Sequence, residues 1–135
     1  MYWIGIDPGT HTGIAVWDDQ KRKLTNLDTI PIHAALHFVE MFARDNEVFV
    51  IFEDARQRKW YGKGNTTAKA QGAGSVKRDC SIWEDFLTDM GIQFRAIPPG
   101  KGMTKVTPTY FKMLTGWTGR TSEHARDAAM LVFGR

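Results

Sequence analysis

The chain has 135 residues, 42% apolar and 24% charged, with a net charge of +3 and one cysteine. Its length suits one domain around one substantial core, so residues 1–135 read as a single domain. No stretch approaches the ~20 apolar residues of a membrane span, no secretion signal opens the chain, and Cys80 has no partner for an internal disulfide. The sequence therefore predicts neither a membrane protein nor a disulfide-stapled secreted domain, and a cytoplasmic setting is expected.

In chain order, Trp3–Ile6 reads as a buried strand, with Ile14–Trp17 as its partner after the turn region Pro8–Gly13. The polar loop "DDQKRK" leads to a third strand, Leu24–Ile30. Three sequential strands with short connections predict an antiparallel meander. After Pro31, the residues Ile32, Ala35, Leu36, Val39, Phe42 and Ala43 form one helical stripe. "EVFVIFED" is a continuous apolar run and predicts a central strand ending at Glu53. Residues Ala55 to Asn65 read as a basic loop.

Val76, Cys80, Trp83, Leu87 and Met90 mark a second amphipathic helix that Gly91 terminates. "IQFRAI" is a fifth strand, stopped by Pro98 and Pro99. Thr107–Pro108 has the form of an N-cap and first helical position, opening a short helix to about Leu114. Thr121 or Ser122 caps a last helix running to about Phe133. The order βββαβαβα, with one small extra helix, predicts an α/β fold. Its sheet is mixed and five-stranded, a three-stranded antiparallel meander plus two parallel strands, with helices on both faces.

Charge is unevenly spread. Between Ala55 and Arg78 stand Arg56, Arg58, Lys59, Lys63, Lys69, Lys77 and Arg78, with no Asp or Glu among them. The rest of the chain has eleven basic and fifteen acidic residues. A short charge run is ordinarily a solvated face. Seven like charges without a counter-charge repel one another unless a polyanion neutralises them, which points to nucleic acid. Trp60 and Tyr61 lie within this segment and offer stacking surfaces.

Two apolar strands end in a carboxylate, Asp7 and Glu53, and a helix carries His124 and Asp127 three residues apart on one face. Each alone has an ordinary structural explanation. Asp7 can cap a turn, Glu53 can mark a strand end, His124 can cap or pack, and Asp127 can pair with Arg126 or a neighbour in the basic loop. Asp54, pointing away from Glu53, reads as structural. Together they suggest more. If the first and fourth strands are parallel neighbours, Asp7 and Glu53 lie side by side, and clustered carboxylates favour a hard divalent cation such as Mg²⁺.

"IGIDPGTHTGIAVWD", "VIFEDAR" and "HARDAAML", in that order and spacing, resemble the RuvC-like Holliday junction resolvases. "GIDPG" alone also resembles related nucleases and, faintly, the phosphate-binding strand of the actin and sugar-kinase superfamily. The resemblance covers nearly the whole chain in element order and implies the ribonuclease H-like fold. It implies a Mg²⁺-dependent crossover junction endodeoxyribonuclease with two ions per site, Mn²⁺ able to substitute, leaving 5′-phosphate and 3′-hydroxyl ends. Asp7, Glu53 and Asp127 would be metal ligands, with His124 where many members place another acid. One ion would activate water and the second steady the leaving oxygen.

"AKAQGAG" is similar to the small-residue start of the family's long second helix, implying a homodimer through that helix. Lys101 and Lys105 resemble basic residues near the scissile phosphate. The family's aromatic shortly after the strand-end Glu is missing, since the third residue on is Arg56 and the nearest aromatics are Trp60 and Tyr61. The short chain and basic aromatic loop resemble a phage-type member, acting on four-way junctions and other branched DNA. Two alternatives remain beside it: another ribonuclease H-like nuclease for flaps, RNA–DNA hybrids or pre-rRNA, and a non-catalytic junction-binding protein.

Overall fold

Alternation along the first strand divides the molecule. In β1 (Tyr2–Asp7), Ile4 and Ile6 point into one core, while Trp3, Gly5 and Asp7 face the other side. The same split runs through β2 (His11–Asp18), where Ile14 and Val16 enter the first core and Ala15 and Trp17 the second. The structure is a computed structural model describing residues 1–58, 67–100 and 105–135, with the side chains of 67–71 outside the description.

The remaining elements are β3 (Lys23–Pro31), α1 (Ile32–Asp45), β4 (Val48–Glu53), α2 (Thr67–Asp89), β5 (Gln93–Ile97), α3 (Pro108–Thr115) and α4 (Glu123–Val132). The sheet order is β3-β2-β1-β4-β5. β1 pairs antiparallel with β2 and β2 with β3, while β4 runs parallel to both β1 and β5. This is the predicted meander plus two parallel strands. Its helices lie on both faces, with residues of α1 and α2 in the first core and of α3 and α4 in the second.

Local chemistry explains most boundaries. α1 begins after Pro31 without a side-chain cap, and the Thr10 carbonyl accepts from Ile32 N–H at 3.2 Å instead. Thr107 caps α3 by accepting from Tyr110 N–H, Pro108 opens it, and Gly116 at φ +72° closes it in the left-handed region. Of the two residues predicted to cap α4, Ser122 does so, accepting from Ala125 N–H at 3.2 Å. Among the described residues no helix is long and apolar enough to cross a membrane.

Two expectations are refined. α2 starts at Thr67, as the small-residue start at "AKAQGAG" implied and earlier than the apolar stripe from Val76 marks. The small, polar residues that open it carry no apolar periodicity in the sequence, so hydrophobic periodicity could not locate them. The predicted loop after Glu53 opens with a 3₁₀ turn, Ala55–Gln57, capped by Asp54.

Candidate active site

The parallel register of β1 and β4 places Ile6 opposite Phe52, so Asp7 and Glu53 are the next pair at the carboxyl edge. Both face the α4 side. On the antiparallel side Asp7 is opposite Gly13. That glycine has a steric reason: a Cβ there would lie 2.0 Å from the His124 carbonyl oxygen, and a Cβ on Gly5 would lie 2.0 Å from that of Ala128. Two bare backbone positions thus let α4 settle directly on β1 and β2. Ser122, hydrogen-bonded to the Thr29 hydroxyl, ties its start to β3.

That seating brings His124 Nδ1 to 2.9 Å from Asp7 Oδ2. Asp7 is the sheltered partner, its side chain 16% exposed against 53% for His124. Asp127 lies one turn on, with Lys105 Nζ 3.9 Å from its Oδ2, and Lys105 also pairs with Glu123. Arg126 is not the partner of Asp127. Its guanidinium instead donates to the carbonyl of Val106 at 3.0 Å and to the Thr121 hydroxyl at 2.9 Å, holding the strand–helix connection against α4.

Burial, and then the charge of Asp127, hold the Asp7 carboxyl above its ordinary pKa despite the opposing pull of His124. Glu53 is raised by burial and by the charges of Asp7 and Asp127, partly offset by Arg58 and Lys105. Burial and mutual crowding thus make full ionisation of these acids costly. Among the described residues no three His, Cys, Asp or Glu side chains stand close enough to enclose an ion. The donors nevertheless suit Mg²⁺, which prefers oxygen ligands and ordinarily keeps waters and phosphate oxygens beside one or two carboxylates.

Asp7, Glu53, His124 and Asp127 all line one groove of about 870 Å³, together with Arg58, Lys77 and Lys105. Three cations thus share the groove with the acids, Lys105 nearest to Asp127. Pro98 and Pro99, expected only to stop β5, and the terminal Arg135 also line it. Other predicted contacts fall elsewhere. Arg56 donates to Asp54 through Nε at 2.8 Å and Nη2 at 3.0 Å, and to Glu84 at 2.5 Å. Its two ion pairs hold the 3₁₀ turn against α2, which makes it a strut rather than a free phosphate contact. Burial would raise the Asp54 pKa, but hydrogen bonds from Arg56 and Gln57 win and hold it below the usual range. Arg78 is exposed beside Asp79, outside the groove lining. Lys59, Trp60, Tyr61, Lys63, Lys101 and the side chain of Lys69 lie outside the described residues.

No protein-family model matches the chain, and no curated protein matches it in sequence. Among solved structures it is similar to T. thermophilus RuvC in complex with Holliday junction substrate. The identity is 19% and the TM-score 0.65, over 95% of this chain and 88% of that one. The cytoplasmic domain of EpsL, an inner membrane component of the type II secretion system of Vibrio cholerae, is 11% identical. Its TM-score of 0.45, over 76% of this chain and 61% of that one, is too low to carry an argument. The likeness to RuvC agrees with the element order and sheet topology: this chain has the ribonuclease H-like fold.

Proposed function

We propose that the protein is a Mg²⁺-dependent, structure-selective endodeoxyribonuclease that resolves four-way DNA junctions by paired nicks. One observation carries this reading. Asp7, Glu53, His124 and Asp127, from β1, β4 and α4, line a single groove bordered by cations on a ribonuclease H-like fold. The similarity to a RuvC solved with a Holliday junction supports the choice of substrate.

Asp7, Glu53, Asp127 and His124 are the residues to hold divalent metal. When bound, Mg²⁺ supplies the positive charge that favours attack of water on a phosphodiester. Asp7 is central, because the parallel register sets Glu53 beside it and the helix sets His124 on its other side. His124, hydrogen-bonded through Nδ1, orients that carboxylate and presents an imidazole to the groove. Arg58, Lys77 and Lys105 attract and seat the phosphodiester backbone. A four-way junction has two-fold symmetric cleavage positions, which suits a homodimer. The opening turns of α2 would supply its contact, for Gly72 and Ala73 are exposed and the space around Gly72 and Gly74 is open.

The test offers the parent and Asp7→Asn a synthetic junction, a flap and an RNA–DNA hybrid in Mg²⁺. Paired symmetric nicks in the junction by the parent, with bound but uncut junction for Asp7→Asn, are expected. Equal cleavage by both proteins would remove the metal-site assignment. Preference for the flap or hybrid would move the protein to another nuclease class of the same fold.

A further inference from the structure

α3 has two unlike sides. Phe111 points inward and is fully buried in the second core. Tyr110, Met113 and Leu114, at i, i+3 and i+4, share the outer side and are 49%, 75% and 38% exposed. Three large apolar side chains grouped on a solvent-facing helix mark a docking surface.

Charge identifies what docks. From Met90 to Ser122 the chain has Arg95, Lys101, Lys105, Lys112 and Arg120 and no Asp or Glu. Lys112 and Arg120 are exposed, and among the described residues neither is ion-paired. An exposed apolar, aromatic face on α3, with Lys112 on the same helix and Arg120 in the connection after it, suits a polyanion with flat apolar units, which is nucleic acid. Self-pairing would instead bring one net-positive surface against another. Position agrees as well. Lys105 and Val106 line the groove, and α3 starts two residues later. Tyr110 is five residues beyond Lys105, at most about 18 Å along the chain.

We propose that the outer face of α3 is a second nucleic-acid contact, engaging the DNA that leaves the groove past Lys105. Tyr110, with Met113 and Leu114, packs on bases exposed at the branch. Lys112 and Arg120 neutralise phosphates of the adjoining strand. This rests on the branched-DNA reading above and adds the surface that would tell a branch from a plain duplex.

The unmodified protein in EDTA, which withholds metal from any cleavage, is titrated with a labelled four-way junction and a linear duplex of equal length across a salt series. Lys112→Ala combined with Arg120→Ala should flatten the slope of log affinity against log salt by about 2. Tyr110→Ala should weaken junction binding about tenfold and leave the slope unchanged. All these positions are exposed, so melting temperatures should match the parent's. If the parent binds the junction and these variants bind with the parent's affinity and slope, the α3 contact is overturned while the branched-DNA reading stands. If the parent binds no nucleic acid, both fall. If Met113→Glu dissociates a dimer in sedimentation while the double variant keeps the parent's slope, the face belongs to a second copy of the chain.

Discussion

Gly13→Ala tests how α4 is held. The added methyl would sit 2.0 Å from the His124 carbonyl oxygen and 2.4 Å from its carbonyl carbon. Both are backbone atoms, so no rotamer change relieves the overlap. Reaching even the edge of tolerable contact moves the helix by roughly 1 Å, since attractive packing begins near 3.5 Å. Overpacking of this kind costs about 1–3 kcal/mol. In a domain of this size each kcal/mol lowers the melting temperature by about 3–5 °C. The same displacement pulls His124 from the 2.9 Å contact with Asp7, and a misplacement of ~1 Å can reduce turnover about 100-fold. Thermal unfolding by circular dichroism and junction cleavage at 20 °C below the variant's midpoint separate the two effects. The variant should be folded there, bind the junction and cut it poorly. A melting temperature within 1 °C of the parent, with full cleavage, would refute the direct seating of α4 on β2.

Asp7→Asn and Glu53→Gln should each raise the melting temperature of the metal-free protein at pH 7. Both carboxyls are held above their ordinary values of 3.8 and 4.5, so the fold favours their protonated forms. Their contribution is most favourable below those values and is lost as pH rises through the raised ones, so the variants' advantage should vanish in acid; an advantage that grew below pH 4 would contradict the assignment. Added Mg²⁺ should stabilise the parent more than either variant, read as a shift in melting temperature, because binding to the folded form alone is stabilising. Arg58→Ala with Lys77→Ala should flatten the salt dependence of junction binding by roughly 1 for each lost phosphate contact, measured by anisotropy. Asp54→Ala should cost about 1–3 kcal/mol in urea unfolding, because it removes the buried acceptor of Arg56 and of the 3₁₀ turn and leaves the half-buried guanidinium with Glu84 alone. Glu84→Ala, whose side chain is 44% exposed, should cost under about 1 kcal/mol.

The acid cluster was legible because its members stand where strand patterns break. Asp7 and Glu53 each end an apolar run, and His124 and Asp127 share a helical spacing. The sheet was legible for the same reason, since alternation and turn residues mark each strand. What stayed hidden depends on tertiary distance. Gly5 and Gly13 look like ordinary strand glycines until a helix is laid over them. Arg56 sits in a basic run and looks like its neighbours, but only the fold brings Glu84 beside it. The opening of α2 lacks an apolar stripe. The acid-free run from Met90 to Ser122 was readable in the sequence, yet its cations are spread through a strand, a connection and a helix, and a search for clusters passes over them.

The two faces of the central strands have a practical consequence for redesign. Every second residue of β1 and β4 belongs to the core beneath α1 and α2, and the residues between them carry the acids. Ile4, Ile6, Val50 and Phe52 can be repacked as a set so long as total volume and patterning are kept, because none of their side chains lines the groove. Thermal robustness can therefore be raised on one side of the sheet while the chemistry on the other is left untouched. A fold divided in this way offers an engineer two nearly independent dials.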